Sequence, residues 1–393
     1  MKRKIVIAGL FLVVLIPAGW LLGRTLQQRS QKINTTPAPP LRSEPAKASD
    51  VTGKTVAAAK AFLATLNDAE RAKVNFDFNS DQKLKWSNLP SGIYARNGLR
   101  WGDMNAAQRD SVIKLLAVAL SKPGLQKVKE IMEGDEVLKT TDTGPGGGGR
   151  SGGGGPPAGG GPPGGGRPGG GPPGGRGGGP GGLIFGRDQY YIALLGAPSL
   201  TDPWMIQFGG HHLAINLTIV GKSNVMTPSL PAAQPAIYKL NGETVRPLGR
   251  ENDKSFALVN SLNTAQQKQA ILNYQVGDLV LGPGEEGKTI QPEGIKASNL
   301  TAAQQQTLLD LAHEWVGILN DDAATLKMAE IKANLSETWF AWSGPTTNGS
   351  AAYFRIQGPT LMIEYAPQRG DTSHIHTIYR DPTSDYGARL VTK

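Results

Sequence analysis

Five short strings recur in the same order along this chain, and that self-similarity limits the fold more than any single motif does. LNDAE at 66–70 and MNAAQ at 104–108 start 38 residues apart, and LNTAQ at 262–266 and LTAAQ at 300–304 repeat that spacing. Each start has Asn, Asp or Thr where a helix N-cap belongs and Glu or Gln two or three residues on, the pattern of a capping box. Three further pairs follow: VKEIM (128–132) with MAEIK (328–332), YYIALLGAP (190–198) with YFRIQGP (353–359), and WMIQF (204–208) with LMIEY (361–365). Fixed-order similarity of this kind predicts two diverged copies of one structural unit.

Periodicity fills in the unit. VAAAKAFLATL (56–66) predicts a helix. AAQRDSVIKLLAVALS sets Val112, Leu115, Leu116 and Ala119 on one helical face, and its copy does the same with Leu308, Leu311, Ala312 and Trp315. QYYIALLG, PWMIQF and HLAINLTIVG read as strands, with AYFRIQG, TLMIEYA and HIHTIYRD as their counterparts. The expectation is an α+β fold, each half helices followed by a small antiparallel sheet, the halves related by a pseudo-twofold axis. Repeat one runs over about 51–222 and repeat two over about 255–393, joined by a Pro-rich crossover.

The rest of the 393 residues divides simply. Residues 1–23 carry Lys2, Arg3 and Lys4 and then an apolar run from Ile5 to Leu22. At about 1.5 Å per residue that run spans roughly 27 Å, near the ~30 Å of a bilayer core. It reads as a signal anchor with the bulk of the chain outside the cytoplasm, in the periplasm or at the cell surface, or as a signal peptide whose cleavage would release a secreted protein. Residues 24–50 are a polar stalk, and 51–393 hold the folded domain. Residues 144–182 contain 25 glycines among 39 residues and cannot bury a core, so they read as a disordered insertion in repeat one.

The formal charge of +9 does not point to nucleic acid. Seven basic residues before Glu44 and Arg150, Arg167 and Arg176 in the Gly-rich tract account for all of it, leaving the folded part near neutral. The expected partners are the membrane, through the anchor, and a small molecule. Zero cysteines exclude disulfides, thiolate metal sites and a Cys nucleophile.

Four of the five histidines fall in two clusters, His211-His212 and His374-Ile375-His376. Alternation on a strand puts His374 and His376 on one side, a common way to present two imidazoles to a metal. The adjacent pair faces opposite ways, and the argument favours His212 as the one that joins the others. Glu364 stands between apolar neighbours one strand earlier and needs a partner there. It is a candidate third ligand, an acceptor for an imidazole N–H, or a base; offset 157 makes Gln207 its counterpart. Three histidines with an open position suit Zn or Cu and a bound water. Histidines hydrogen-bonded in a polar core are the competing reading. Arg380, Asp381 and Asp385 in YRDPTSDYG form either a salt-bridged turn or an anion site. Arg100, Trp101 and Asp103 read as a capped, packed helix start or a cleft lining. Trp339 and Trp342 read as core, and His313 as a helix-surface residue.

At GGHHLAINLTIVG, TPSLPAAQPA, YFRIQGPTLMIEY and HIHTIYRDPTSDYG the sequence resembles the bacterial and fungal domain-of-unknown-function family numbered 3500, from Val51 to Gly387 apart from the Gly-rich tract. The resemblance implies an exported protein and points to His211, His212, Glu364, His374, His376, Arg380, Asp381 and Asp385. This chain has Ala366 where the family often shows Asp, and Ser373 where Asn is usual. The functional expectation is a metal-dependent extracytoplasmic hydrolase, with an oxidase less favoured. His212, His374 and His376, with His211 beside them, would hold the metal, and Glu364 would act as base or ligand. The alternative is a non-catalytic cell-envelope module that binds a small ligand in a cleft lined by Arg100, Trp101 and Arg380.

Overall fold

The computed structural model describes residues 50–141 and 183–391. The predicted anchor, the stalk up to residue 49 and the Gly-rich insertion lie outside the described residues. Among the described residues no helix is long and apolar enough to cross a membrane.

The four capping signatures become four helix starts. Helices α2 (Asp68–Val74), α3 (Ala106–Ala119), α6 (Thr264–Ala270) and α7 (Ala302–Val316) each begin with a complete capping box, on Asn67/Glu70, Asn105/Gln108, Asn263/Gln266 and Thr301/Gln304. Each box satisfies two otherwise orphaned backbone N–H groups, so the signal is local and survives in any tertiary context. Within each half the boxes are tied together through the side chains three residues after the cap: Gln108 donates to Glu70 at 2.9 Å, and Gln266 donates to Gln304 at 3.0 Å. The remaining long helices are α1 (Asp50–Ala64), α4 (Lys122–Thr141), α5 (Gly249–Ser261) and α8 (Asp321–Ala333). Helix α1 starts six residues before the expected Val56, and α5 starts before the expected opening of the second half at 255.

The first sheet contains β1 (Asn75–Phe76), β2 (Leu99–Arg100), β3 (Tyr191–Leu195), β4 (Trp204–Gly209), β5 (Leu213–Val220), β6 (Ser223–Val225) and β7 (Leu230–Pro231). After the small hairpin β8 (Tyr238–Leu240) and β9 (Glu243–Val245), the second sheet runs in the order β10 (Ile295–Lys296), β11 (Trp339–Ser343), β12 (Tyr353–Gly358), β13 (Leu361–Pro367), β14 (Ile375–Arg380). The architecture is mixed α+β.

The registers correct the sequence pairing by one strand. Leu99 lies opposite Ile192 and Ile192 opposite Phe208, as Ile295 lies opposite Phe340 and Phe340 opposite Ile356. The runs β2–β3–β4 and β10–β11–β12 are thus paired in the same antiparallel way. The overlooked strand was β11, WFAWS, whose aromatic run reads as generic core. Glu364 pairs with Arg355, and Gln207, its expected counterpart, pairs with Asn216. The histidine clusters are likewise not in equivalent places. His211-His212 fill the turn before β5, and His374-His376 open β14.

Helices pack on one face of the sheets. Thr377, Tyr379, Phe354 and Trp342 point that way, and the buried Trp315 of α7 donates its indole N–H to Thr377 at 2.9 Å. The other face is crossed by two irregular straps, residues 77–98 and 271–294. Each ends on a glycine that only a missing side chain permits: a Cβ on Gly98 (φ +111) would lie 2.6 Å from the Ile192 carbonyl oxygen, and one on Gly294 (φ +93) 2.1 Å from that of Phe340.

The Pro-rich crossover is the seam of the molecule. Leu230 and Pro231 pair with Ala214 and Leu213 on one side, while Ser229 and Ala233 bridge to Tyr379 and Ile375 on the other. The two sheets thus continue into each other, with β5 and β14 flanking residues 229–233. Below the seam, Ser121 N–H donates to Ile318 and Asn320 N–H to Ala119, a reciprocal exchange around the Leu120–Leu319 bridge.

Candidate metal centre

The seam decides which histidines meet. Ala232 N–H donates to the His212 carbonyl at 2.8 Å, and the bridges at residues 229 and 233 put Ala232 opposite His376. His212 and His376 therefore flank one alanine in the same row and on the same face, about 10 Å apart at their Cα atoms. The methyl group between them is small enough for the rings to lean together. Their ring centroids are 6.0 Å apart. His374 Nε2 sits between the other two, 3.2 Å from His212 Nε2 and 3.0 Å from His376 Nε2.

The outer nitrogens define the protonation states. His212 Nδ1 lies 2.9 Å from Asp135 Oδ1, and His376 Nδ1 lies 2.8 Å from Asp278 Oδ1. An ionised carboxylate only accepts, so in both rings Nδ1 is the nitrogen that donates and Nε2 is the one turned toward the centre. Burial acts to raise the Asp135 carboxyl, but His212 and His211 outweigh it and hold the group well below the usual carboxylate range. Burial and His376 act in the same opposition on Asp278, with a net lowering. His212 is pushed down to about 3 by burial and by the neighbouring His211, and His374 to about 3 by burial and by His212 and His376. Both are neutral at physiological pH. Three Nε2 atoms then face a common point, those of His212 and His374 unprotonated or sharing one proton, an arrangement that a cation at the focus would stabilise.

The dimensions fit. A tetrahedral ion with bonds of 2.0–2.1 Å spaces its nitrogen ligands roughly 3.3 Å apart, close to the separations here. His212, His374 and His376 form a group able to hold a metal ion. His212 and His376 are fully buried, while His374 and Asp278 reach solvent and leave an approach on that side. Asn88, on the first strap, sets its side-chain amide 3.3 Å from His376 Nδ1 at the same opening.

The remaining candidates fall elsewhere. His211 lies tilted against His212 with centroids 3.6 Å apart and its Nδ1 3.4 Å from Asp135 Oδ1; outside the convergent three, it forms with Asp135 and His212 a second group able to hold a metal ion. Glu364 is buried on the outer face of β13 but opposite Ile378, two pairs along from His376. Its oxygens accept from Val280 N–H at 3.1 Å, Leu281 N–H at 2.8 Å and Tyr353 O–H at 2.5 Å. Burial raises its carboxyl against those donors. Arg380, at the far end of β14, donates to the carbonyls of Glu285 and Gly282 on the second strap. Asp381 accepts from Lys327 at 2.6 Å, and Asp385 from the Asp381 N–H at 3.1 Å. These three form a salt-bridged turn. Arg100 pairs with Asp103 at the surface, and Trp101 packs edge-on to Phe208, so neither shares a cleft with Arg380.

Sequence reasoning missed Asp135 and Asp278. Asp135 sits in EGDEV, an acidic stretch that reads as a solvated helix face, yet Tyr190 O–H donates to it at 2.7 Å in the interior. Asp278 sits in a loop, VGDLVLG, with no periodicity to mark it. A carboxylate behind a metal-binding imidazole is expected on general grounds, but nothing local says which acid it is.

No curated protein and no solved structure matches the chain. The family described as protein of unknown function (DUF3500) is matched by residues 48–388, nearly the whole of the chain, and the protein belongs to that family.

Proposed function

We propose that this protein is a metal-dependent extracytoplasmic hydrolase whose ion, zinc or copper, is held by His212, His374 and His376. The observation that carries the reading is the pairing of two carboxylate-bound imidazoles whose Nε2 atoms converge on that of a third. Three neutral nitrogen donors and no thiolate suit a borderline ion, and a three-ligand set leaves a fourth position. An ion held this way acidifies a bound water toward neutral pH and polarises a carbonyl or phosphoryl oxygen. Asp135 and Asp278 fix the donor tautomers and ring orientations. Asn88 and Asp278 stand at the solvent side, where a substrate would arrive.

We also infer that the domain arose by duplication about a pseudo-twofold axis. Support comes from the four capping boxes, the glycines at 98 and 294, the matching registers and the reciprocal contact at Leu120 and Leu319. In this reading the site is asymmetric, built by a turn of one half and a strand of the other. Export rests on the basic-flanked apolar run at 1–23, and cell fractionation of the full chain tests it.

The deciding experiment is elemental analysis of untagged protein beside a His374→Ala/His376→Ala variant. One equivalent of Zn or Cu is expected in the wild type and none in the variant. Metal-free wild type under several metal supplies would sink the reading.

A further inference from the structure

We propose that Glu364 is a positioning residue for the histidine centre, acting through the second strap on Asp278. The proposal rests on the metal reading above. The outer face of the second sheet carries charged and polar groups in a row no soluble sheet would bury without cause: Ser343, Arg355, Gln357, Glu364 and Arg380, all nearly or fully buried. Each of them is engaged with the strap. Ser343 donates to the Tyr274 carbonyl and accepts from Val276 N–H, Arg355 reaches Glu293, Gln357 donates to the Ile290 carbonyl, and Arg380 holds the carbonyls of Gly282 and Glu285.

Glu364 is the one acid among them, and its place along the strap gives it a specific role. Its two oxygens take the backbone N–H groups of Val280 and Leu281, two and three residues past Asp278. On the other side of Asp278, Gly277 is pinned through its carbonyl by Arg369 N–H at 2.7 Å. Asp278 is therefore clamped from both directions. Its Oδ1 accepts from Leu279 N–H at 2.8 Å and from His376, and Gln368 adds a longer contact at 3.4 Å. A buried carboxylate that binds two consecutive amides fixes the peptide planes on which the aspartate's direction depends. Asp278 is partly solvent-exposed, so its direction depends on these hydrogen bonds more than on packing. Tyr353 adds a second donor to the oxygen that takes Val280 and keeps the Glu364 carboxylate from turning away.

The test measures zinc affinity, by competition with a chromophoric chelator, for untagged wild type, Glu364→Gln, Asp278→Asn and the double variant, with Tm of each metal-free protein. An outer carboxylate behind a ligating histidine is worth about 10–100-fold in affinity. Each single variant is expected to lose on the order of tenfold, and the double variant no more than the weaker single, because both act through one contact. The cobalt-loaded Glu364→Gln protein is expected to show a shifted d–d spectrum. Glu364→Gln binding zinc as the wild type does, or losses that multiply in the double variant, would overturn the positioning role alone. Wild type that binds no metal overturns the metal reading itself, and this role with it. Should Glu364→Gln not fold, hydrogen exchange on the wild type decides: zinc is expected to slow the Val280 and Leu281 amides about tenfold by linkage, and zinc-independent rates refute the proposal.

Discussion

Asp135→Asn isolates the electrostatic heart of the site with almost no change of shape. Asp135 is buried and accepts from His212 Nδ1 at 2.9 Å and Tyr190 O–H at 2.7 Å, with His211 Nδ1 at 3.4 Å. Asparagine offers one acceptor oxygen where the carboxylate offered two, and it brings an N–H₂ group. If the oxygen stays on His212, the tautomer survives and a charge-assisted hydrogen bond becomes a neutral one. If the amide turns, its N–H₂ meets Nδ1, drives the proton to Nε2, and fills the ligand position. The loss of a hydrogen bond to a charged group is worth about 1.5–3 kcal/mol, roughly 10- to 150-fold in metal affinity, and the tautomer switch lies at the upper end. The wild-type carboxylate is held well below the usual range, so it is ionised across neutral and mildly acidic pH. Zinc competition titrations on wild type and Asp135→Asn at pH 7 read the effect directly, with Tm of the metal-free proteins as the control for folding. Equal zinc affinities would refute the tautomer argument, and with it the claim that the Nε2 lone pair of His212 faces the common focus.

Two further outcomes concern the scaffold. Burial raises Asp385 to about 7 despite Arg380 nearby. A raised folded pKa gives a contribution that is complete below the unfolded value near 4 and is lost as pH rises through about 7. The wild type should lose up to about 1.4 kcal/mol per pH unit across that window relative to Asp385→Asn; parallel stability curves from denaturant titrations with chelator present would disprove it. Lys127 of α4 and Glu251 of α5 form a buried ion pair between the halves. Lys127→Met alone should cost about 3–5 kcal/mol by stranding the Glu251 charge, whereas Lys127→Met/Glu251→Leu should recover most of it. A double variant as unstable as the single would contradict that account.

The α+β class, the four helix starts and six of the strands could be read from the chain because each depends on neighbours in sequence. A capping box closes over three residues, and strand alternation is a property of the strand itself. The Asn67, Asn105, Asn263 and Thr301 caps are of this kind. Pairing between strands is not local, and there the string matching slipped: YFRIQG resembles YYIALLG in pattern, but only the hydrogen-bond registers reveal that WFAWS takes its place in the second sheet. The strings likewise do not contain the pairings of Gln207 with Asn216 and of Glu364 with Arg355.

The histidine clusters are visible in the sequence as residue types and spacing, and strand alternation says that at most one of the adjacent pair joins the other cluster. What the sequence could not contain is the distance between residues 212, 374 and 376, which is set by the seam at 229–233 running between β5 and β14. Nor could it say which acids stand behind the rings. Asp135 and Asp278 reach them from a helix 77 residues before His212 and a loop 98 residues before His376. Glu364, Arg380, Asp381 and Asp385 carry the chemical character expected of a site, yet folding turns the first two onto backbone groups of the strap and the others onto a turn. Residue chemistry and local geometry are written in the chain, and the meeting of groups far apart in it is decided by which strands share an edge.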